Sequence, residues 1–582
     1  MRGIACLALS LLFYLPAAVF ASALSYSIEG IRGKPAKNVA AWLGDEPETV
    51  QQRSIFLAVL DQRVRDSLKA LGYYRPDVEL RFDKSQPQWQ LTIVVAANDP
   101  VLISRVDIRL AGSARDNQQF HELLHNTSLV IGNTLHHGDY ESFKTRLLRL
   151  GQRLGYFDGE FTVHRIEVDV PGATASIELE YDSGTRYRFG SLLFDREQFD
   201  DSSVDMLRTF QRGELYDLGL LQQFQAQLQQ TQFFSSVVVR PQMGDVSDKH
   251  VPILLRLTPR NRHSFDLGVG FSTDTRERLS FTWRSPKLNR YGHSQETRFE
   301  YSTVNPSGRV TYNIPLTHPL NDILQLTARV EDNEFGDIDS NQKELSVRRE
   351  FRTTDGWIRS YFLRGLKESW EVIGLHNQNE YLLPGLTFSH KRREGSMVDP
   401  SGGFSQLYRL EGGSEEIGSD IDLLRVYSQF HFVATFAARH RLVTRAEIGA
   451  IFIQQDDRQD LAPSLGFFAG GSQSIRGFGY QSLGNEVQLV TRAGDLNTLT
   501  IGGDRLLTGS LEYQYYLNDS WRGAVFIDAG DAFDEGEFDL NYGAGFGLHY
   551  LTPVGAIKFE LANSLSEDDP SWRVHINIGA EF

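Results

Sequence analysis

Two groups of residues in this sequence are of types and spacings that do chemistry. The pentad HELLH, His121 to His125, sets two histidines one helical turn apart with a glutamate beside them. A helix of that pattern offers two imidazoles to zinc and a carboxylate as general base, provided a third ligand exists, and Glu141 is a forced candidate. The second group is FFAGGSQSIRGFGYQ, residues 467–481, in which Arg476 stands among glycines and aromatics. A guanidinium does no acid–base work near neutral pH. Its chemistry is to hold oxygens through a planar, permanently charged fork. No GxSxG elbow occurs, and the glycines near Arg476 open no helix, so neither a serine hydrolase nor a phosphate loop is expected.

What could hold Arg476 is set by strand parity. In GSLEYQYYL the apolar face carries Leu511, Tyr513, Tyr515 and Leu517, which turns Ser510, Glu512 and Gln514 the other way. In AVFIDAG, Val525 and Ile527 share one face and Phe526 and Asp528 the other. Adjacent strands lie about 4.8 Å apart, so Glu512 and Asp528 can reach one guanidinium. The expectation is a partly buried clamp that pins the loop to an inner wall. The connection around Arg476, from near residue 454 to near 509, is far longer than a routine hairpin loop. Its aromatics and isoleucine are the composition of a segment that packs rather than one that stays unfolded.

The walls themselves read as β-strands. From HSFDLGVGFSTDTRERLSFTWRSP onward, helical periodicity gives way to alternation rich in glycine and aromatics. In NYGAGFGLHY, Tyr542, Ala544, Phe546, Leu548 and Tyr550 oppose Gly543, Gly545, Gly547 and His549. AIKFELA opposes Ile557, Phe559 and Leu561 to Lys558 and Glu560, and WRVHINIGAEF alternates likewise. No helices are available to cover the apolar side, which leaves lipid, and hydrocarbon requires that every sheet edge be closed. Dividing residues 262–582 by about 20 per strand and connection gives around 16 strands, a count usual for bacterial barrels.

Ahead of residue 262 a pattern recurs about every 80 residues: amphipathic helix, aromatic turn, strand. Its instances are LDQRVRDSLKALGYYRPDVEL, YESFKTRLLRLGQRLGYFDGEFTV and LGLLQQFQAQLQQTQFFSSVVVR. Phe56, Leu60, Val64 and Leu68 share one helical face in the first; Phe143, Leu147, Leu150 and Leu154 in the second; Leu221, Phe224 and Leu228 in the third. Gly72 and Gly155 fit the left-handed position that ends a helix. HELLH falls on the first helix of the second repeat, a unit with little room for a catalytic cleft.

Residues 1–23 read as a cleaved secretory signal: Arg2, an apolar core, then small residues at Ala21 and Ala23. Cys6, the only cysteine among 582 residues, lies within it, so the mature chain has no thiol for disulfide or metal chemistry. The net charge of −16 argues against a nucleic-acid surface. No later apolar run is long enough for a membrane-spanning helix.

These stretches carry a resemblance. GGSQSIRGFGY resembles the arginine-glycine-phenylalanine loop motif of the Omp85 superfamily, VFIDAG its aspartate-bearing strand, and GSLEYQYYL the strand that supplies a glutamate. The repeats are similar to POTRA domains. Their number, the length, and the phrases LGYY, ERL and LTPVGAIKFEL resemble the translocation and assembly module branch of that superfamily.

The resemblance implies a mixed fold: three tandem α+β POTRA domains (24–98, 99–183 and 184–261), then a transmembrane antiparallel β-barrel (262–582). It implies that Ile475, Arg476, Gly477 and Phe478 form the loop motif, with Asp528 and Glu512 as acceptors. It places a lateral seam between the first strand, with Phe265, Leu267 and Val269, and the last, with His575, Ile576, Ile578, Gly579, Ala580 and Phe582. The last strand resembles the insertion signal of such barrels, with Asn577 in place of its usual glycine.

The implied activity is insertion of β-barrel proteins such as autotransporters into the bacterial outer membrane, by seam opening and strand addition. No enzyme activity, cofactor or metal is implied. The implied partners are unfolded outer-membrane clients, the lipid bilayer, and a TamB-like subunit anchored in the inner membrane and met by the POTRA domains in the periplasm. A two-partner-secretion export pore is the alternative; such pores share the barrel and loop but usually carry two POTRA domains and a plug helix.

Overall fold

The computed structural model describes residues 24–85, 88–195, 202–336, 338–372, 375–490, 496–553 and 555–579. The expected signal, Ala580 and Phe582 lie outside the described residues.

The chain divides into two compact units, the first formed by residues up to 193 with 210–222 and 240–254. In the first repeat Leu24–Glu29 runs parallel to Trp89–Ala96, which pairs antiparallel with Asp77–Asp83. The helix Val50–Lys69 begins with a capping box, in which the Thr49 side chain accepts from the Gln52 N–H and the Gln52 side chain accepts from Thr49. Such reciprocal caps satisfy donors that a helix start leaves open. Phe56, Leu60, Val64 and Leu68 are buried beneath it, on the face that the periodicity selects.

The second repeat repeats the arrangement, with Leu102–Ala111 parallel to Thr174–Asp182 and the latter antiparallel to Glu160–Asp169. Ala175, Ile177, Leu179 and Tyr181 alternate into its core. The helix His137–Leu154 buries Phe143, Leu147 and Leu154 as expected, but Leu150 is only half-buried and Gly151 takes its place. A Cβ at Gly151 would meet the Tyr181 hydroxyl at 2.3 Å, so the stripe passes through a residue that hydrophobicity alone does not select. The helix ends at Gly155 in the left-handed conformation. A third sheet orders Arg188–Phe194, His250–Pro259 and Phe234–Pro241, and Leu221, Phe224 and Leu228 of the helix Leu218–Gln230 are buried.

In the second unit, sixteen antiparallel strands close into a barrel. The first is Ser264–Ser272, the eleventh His440–Ile453, the twelfth Arg505–Tyr516 and the thirteenth Trp521–Phe533. Asn541–Thr552, Gly555–Ser564 and Trp572–Gly579 complete it. Outward faces are apolar and exposed, with Leu511, Val525, Ile527, Phe546, Leu548 and Phe559 among them. Glu512, Asp528, His549 and Glu560 point inward and are buried. No described helix is long and apolar enough to cross a membrane.

Candidate functional site

Residues 454–490 and 496–504, the described part of the connection between the eleventh and twelfth strands, fold back against the barrel wall. They carry a short hairpin, Asn485–Val490 with Leu496–Ile501. Phe467, Ala469, Ile475 and Phe478 pack with Ile451, Leu506 and Ala532 of the wall in one apolar cluster. That cluster sets the loop's depth and delivers Arg476 to the acids.

Arg476 is 1% exposed. Its Nε donates to Asp528 Oδ2 at 2.7 Å and its Nη2 to Oδ1 at 2.9 Å, a bidentate pair. Its backbone N–H donates to the same Oδ2 at 3.0 Å. Nη1 is shared between Glu512 Oε2 at 2.7 Å and Glu560 Oε1 at 2.9 Å. Nη2 also reaches Ser510 Oγ at 3.3 Å. The guanidinium carbon lies 3.4 Å from the centre of the Phe526 ring, a cation–π contact. The partly buried clamp expected from the sequence is instead fully enclosed, with three carboxylates rather than two.

Glycines make the room. Gly477 has φ +102° and lies against the backbone of Asn563, where a Cβ would sit 2.9 Å from a carbonyl carbon. At Gly543, in the fourteenth strand, a Cβ would be 2.0 Å from the Arg476 carbonyl oxygen. Gly545 lies opposite Phe526 in the ladder and leaves space for its ring.

The motif also touches both flanks of the seam. Ser472 donates through its N–H and its hydroxyl to Asp274 Oδ2, at 2.8 and 2.6 Å, in the turn after the first strand. Gly477 N–H donates to His575 Nε2 of the last strand at 3.1 Å, and Arg573 Nε donates to the Gly477 carbonyl at 3.3 Å. His575, placed by the sequence on the seam, is therefore an inward anchor of the loop. Ile576 remains at the seam, where its carbonyl accepts the Thr273 N–H at 3.1 Å. Gly579 pairs with Ala556 in the fifteenth strand, not across the seam. Ile578 is exposed, as are Phe265, Leu267 and Val269 on the first strand.

The seam is short. All nine residues Ser264–Ser272 pair with the second strand, Arg276–Ser285. Among the described residues one register pair, Ser272 with Asn577, links the first strand to the last.

His549 Nε2 lies 3.1 Å from Glu560 Oε1, so Glu512, His549 and Glu560 form a ligand-type triad. Arg476 Nη1 already bonds both of its glutamates, so a cation stands where a metal would be held. HELLH lies on the short helix Gln118–His125 with both histidines exposed. His121 Nε2 bonds the Arg115 carbonyl at 2.7 Å, and Glu141 pairs with Lys144 at 3.3 Å. Among the described residues, these groups do not gather as a ligand set.

Comparison with known proteins bears on this geometry. Residues 250–582 match the Omp85 superfamily domain, and residues 25–97 match the first POTRA domain of TamA. A crystal structure of BamA from Haemophilus ducreyi lacking POTRA domains 1–3 is similar at TM-score 0.71 and 16% identity, covering 82% of this chain and 99% of that one. CdiB from Escherichia coli is similar at TM-score 0.45 and 15% identity, covering 91% of this chain and 97% of its own.

Proposed function

On the premise that the chain belongs to the Omp85 superfamily, we propose that it is an outer-membrane insertase that opens its barrel sideways to admit β-barrel clients such as autotransporters. The observation that carries this reading is the seam, with its one register pair among the described residues. An unpaired strand edge in hydrocarbon is costly, and a client strand that adds to it restores the missing hydrogen bonds. The exposed outward face of Leu267 and Val269, each 83% exposed, gives such an edge an apolar surface matched to lipid.

In this reading the clamp is mechanical rather than catalytic. Arg476 fixes the loop to the twelfth, thirteenth and fifteenth strands, while Ser472 and Gly477 tie the same loop to Asp274 and His575 at the two flanks. Sideways opening separates those flanks, so the loop must let go of one. The repeats would stand in the periplasm, offer strand edges to arriving clients, and bind a TamB-like subunit anchored in the inner membrane. No cofactor and no bond-breaking chemistry enter the cycle.

The test is a disulfide across the seam. Ser272→Cys with Asn577→Cys places two cysteines at directly paired positions, and the only other cysteine is Cys6. In proteoliposomes the oxidised protein should lose client insertion and regain it on reduction. Insertion that continues when oxidised refutes lateral opening. A stable open conductance with export of one dedicated partner would favour a two-partner-secretion pore instead.

A further inference from the structure

Across the lumen from the clamp, on the wall that runs from the second to the tenth strand, the glutamates are already engaged. Glu411 accepts Arg364 and Arg425, each at 3.0 Å. Glu344 accepts Arg329 at 2.9 Å, and Glu296 accepts Arg284 at 2.7 Å. These walls line a polar cavity of about 480 Å³ whose lining includes five arginines and three glutamates, a surplus of two positive charges.

Arg348 and Arg409 account for the surplus. Arg348 lies on the sixth strand, Ile338–Arg352, and Arg409 on the ninth, Pro400–Gly413. Neither makes an ion pair or a hydrogen bond among the described residues. The Arg409 Nε is buried without an acceptor. Arg348 lies over the Phe362 ring, whose centre is 5.3 Å from its guanidinium carbon, and Glu350 and Glu344 attract it from beyond ion-pair distance. Three strand spacings separate the two backbones, about 14 Å along the wall, and both long side chains project into one cavity.

We propose that this cavity binds a phosphate-bearing dianion, with Arg348 and Arg409 as its forks. Two surplus charges match a phosphate or phosphomonoester, whereas a single carboxylate would leave one cation uncompensated. Guanidinium forks suit tetrahedral oxyanions because two parallel N–H groups meet two oxygens. An unpaired buried donor is costly, and such a ligand gives the Arg409 Nε an acceptor.

The full chain in uncharged detergent should bind inorganic phosphate saturably in a calorimetric titration against chloride at matched ionic strength. Arg348→Gln or Arg409→Gln should weaken binding by about tenfold or more. Folding of each variant is checked by its heat-dependent electrophoretic mobility. A second arm compares vesicles holding phosphatidic acid with vesicles of phosphatidylcholine. Saturation in the lipid arm alone assigns the site to a headgroup, and saturation by inorganic phosphate shows that the free anion suffices. In wild-type protein, phenylglyoxal should label Arg348 and Arg409 and phosphate should protect them, a readout that needs no variant. Binding in neither arm, labelling that phosphate leaves unchanged, or equal affinity in folded variants overturns the proposal.

Discussion

Asp274 and His575 stand on opposite sides of the seam, 3.8 Å apart between Oδ1 and Nδ1, and the same inward loop bonds to both. Because His575 Nε2 accepts the Gly477 N–H, its ring proton belongs on Nδ1, toward Asp274. The loop thus closes from within a seam that the strands close weakly from without.

Asp274→Ala should therefore loosen the loop while leaving the Arg476 clamp intact. It removes two hydrogen bonds to a charged acceptor, each worth roughly 1.5–3 kcal/mol. Hydrogen exchange in the full chain should quicken on the order of tenfold or more at Ser472 and its neighbours. Asp274→Asn, which keeps one acceptor oxygen, should fall between. Unchanged protection at Ser472 in the alanine variant would show that the tether contributes nothing.

The three acids around Arg476 make the clamp asymmetric. Arg476→Ala leaves Asp528, Glu512 and Glu560 facing one another in a dry site, and breaking a buried pair costs about 3–5 kcal/mol. Asp528→Ala leaves the guanidinium with two acids still in contact. The double variant should accordingly be more stable than Arg476→Ala alone, measured as the unfolding midpoint in detergent. Additive losses would mean that the two side chains are not coupled in solution. Arg476→Lys should rescue little, because one ammonium cannot make the five side-chain bonds of the guanidinium.

Glu512 and Asp528 are legible as partners for Arg476 because period-two alternation assigns each of the two acids to the inner face whatever the loop does. Glu560 was legible as inward, but alternation does not say which inward acids a long loop approaches. That depends on Gly543 and Gly545, which open the wall beside it. Asp274 lies 198 residues from Ser472, so its role appears only once the barrel closes. Membership of the last strand puts His575 at the seam, but its inward parity in the alternation of WRVHINIGAEF is the signal for the anchor. The helical repeats were read from their periodicity, and Leu150 failed because close packing on Tyr181 favours the smaller Gly151 there.

The first two repeats carry a pH-sensitive contact. The Tyr74 hydroxyl lies 2.6 Å from His137 Nε2, and burial, reinforced by Lys69, holds the His137 pKa below its usual 6.5. The unfolded chain therefore takes up the proton first. The stability contribution is complete above pH 6.5 and is lost as pH falls through that value toward the folded pKa. His137 N–H donates to the Ala70 carbonyl at 3.0 Å and Val101 N–H to Gly72 at 2.9 Å. Exchange of these amides, corrected for intrinsic rates, should accelerate between about pH 7.5 and 5.5, a window that brackets the histidine value. His137→Phe should remove the pH dependence, and equal protection at both pH values would rule the contact out as its source.

Gly543 offers the sharpest test of whether the loop sits where the clamp needs it. A Cβ there would lie 2.0 Å from the Arg476 carbonyl oxygen, a backbone atom that cannot swing aside. Gly543→Ala should expel the motif although Arg476 and its three acids are untouched. Gly509→Ala, in the twelfth strand, meets nothing within 4 Å and should be neutral or slightly stabilising. Trypsin reports the difference, since the bond after Arg476 is buried in the native chain and exposed once the loop lifts. Mass spectrometry should find cleavage after Arg476 in the Gly543 variant but not in the Gly509 variant. Equal resistance in both would mean that the loop approaches the fourteenth strand less closely than 2.0 Å implies, and that the enclosure of Arg476 does not depend on glycine at that position.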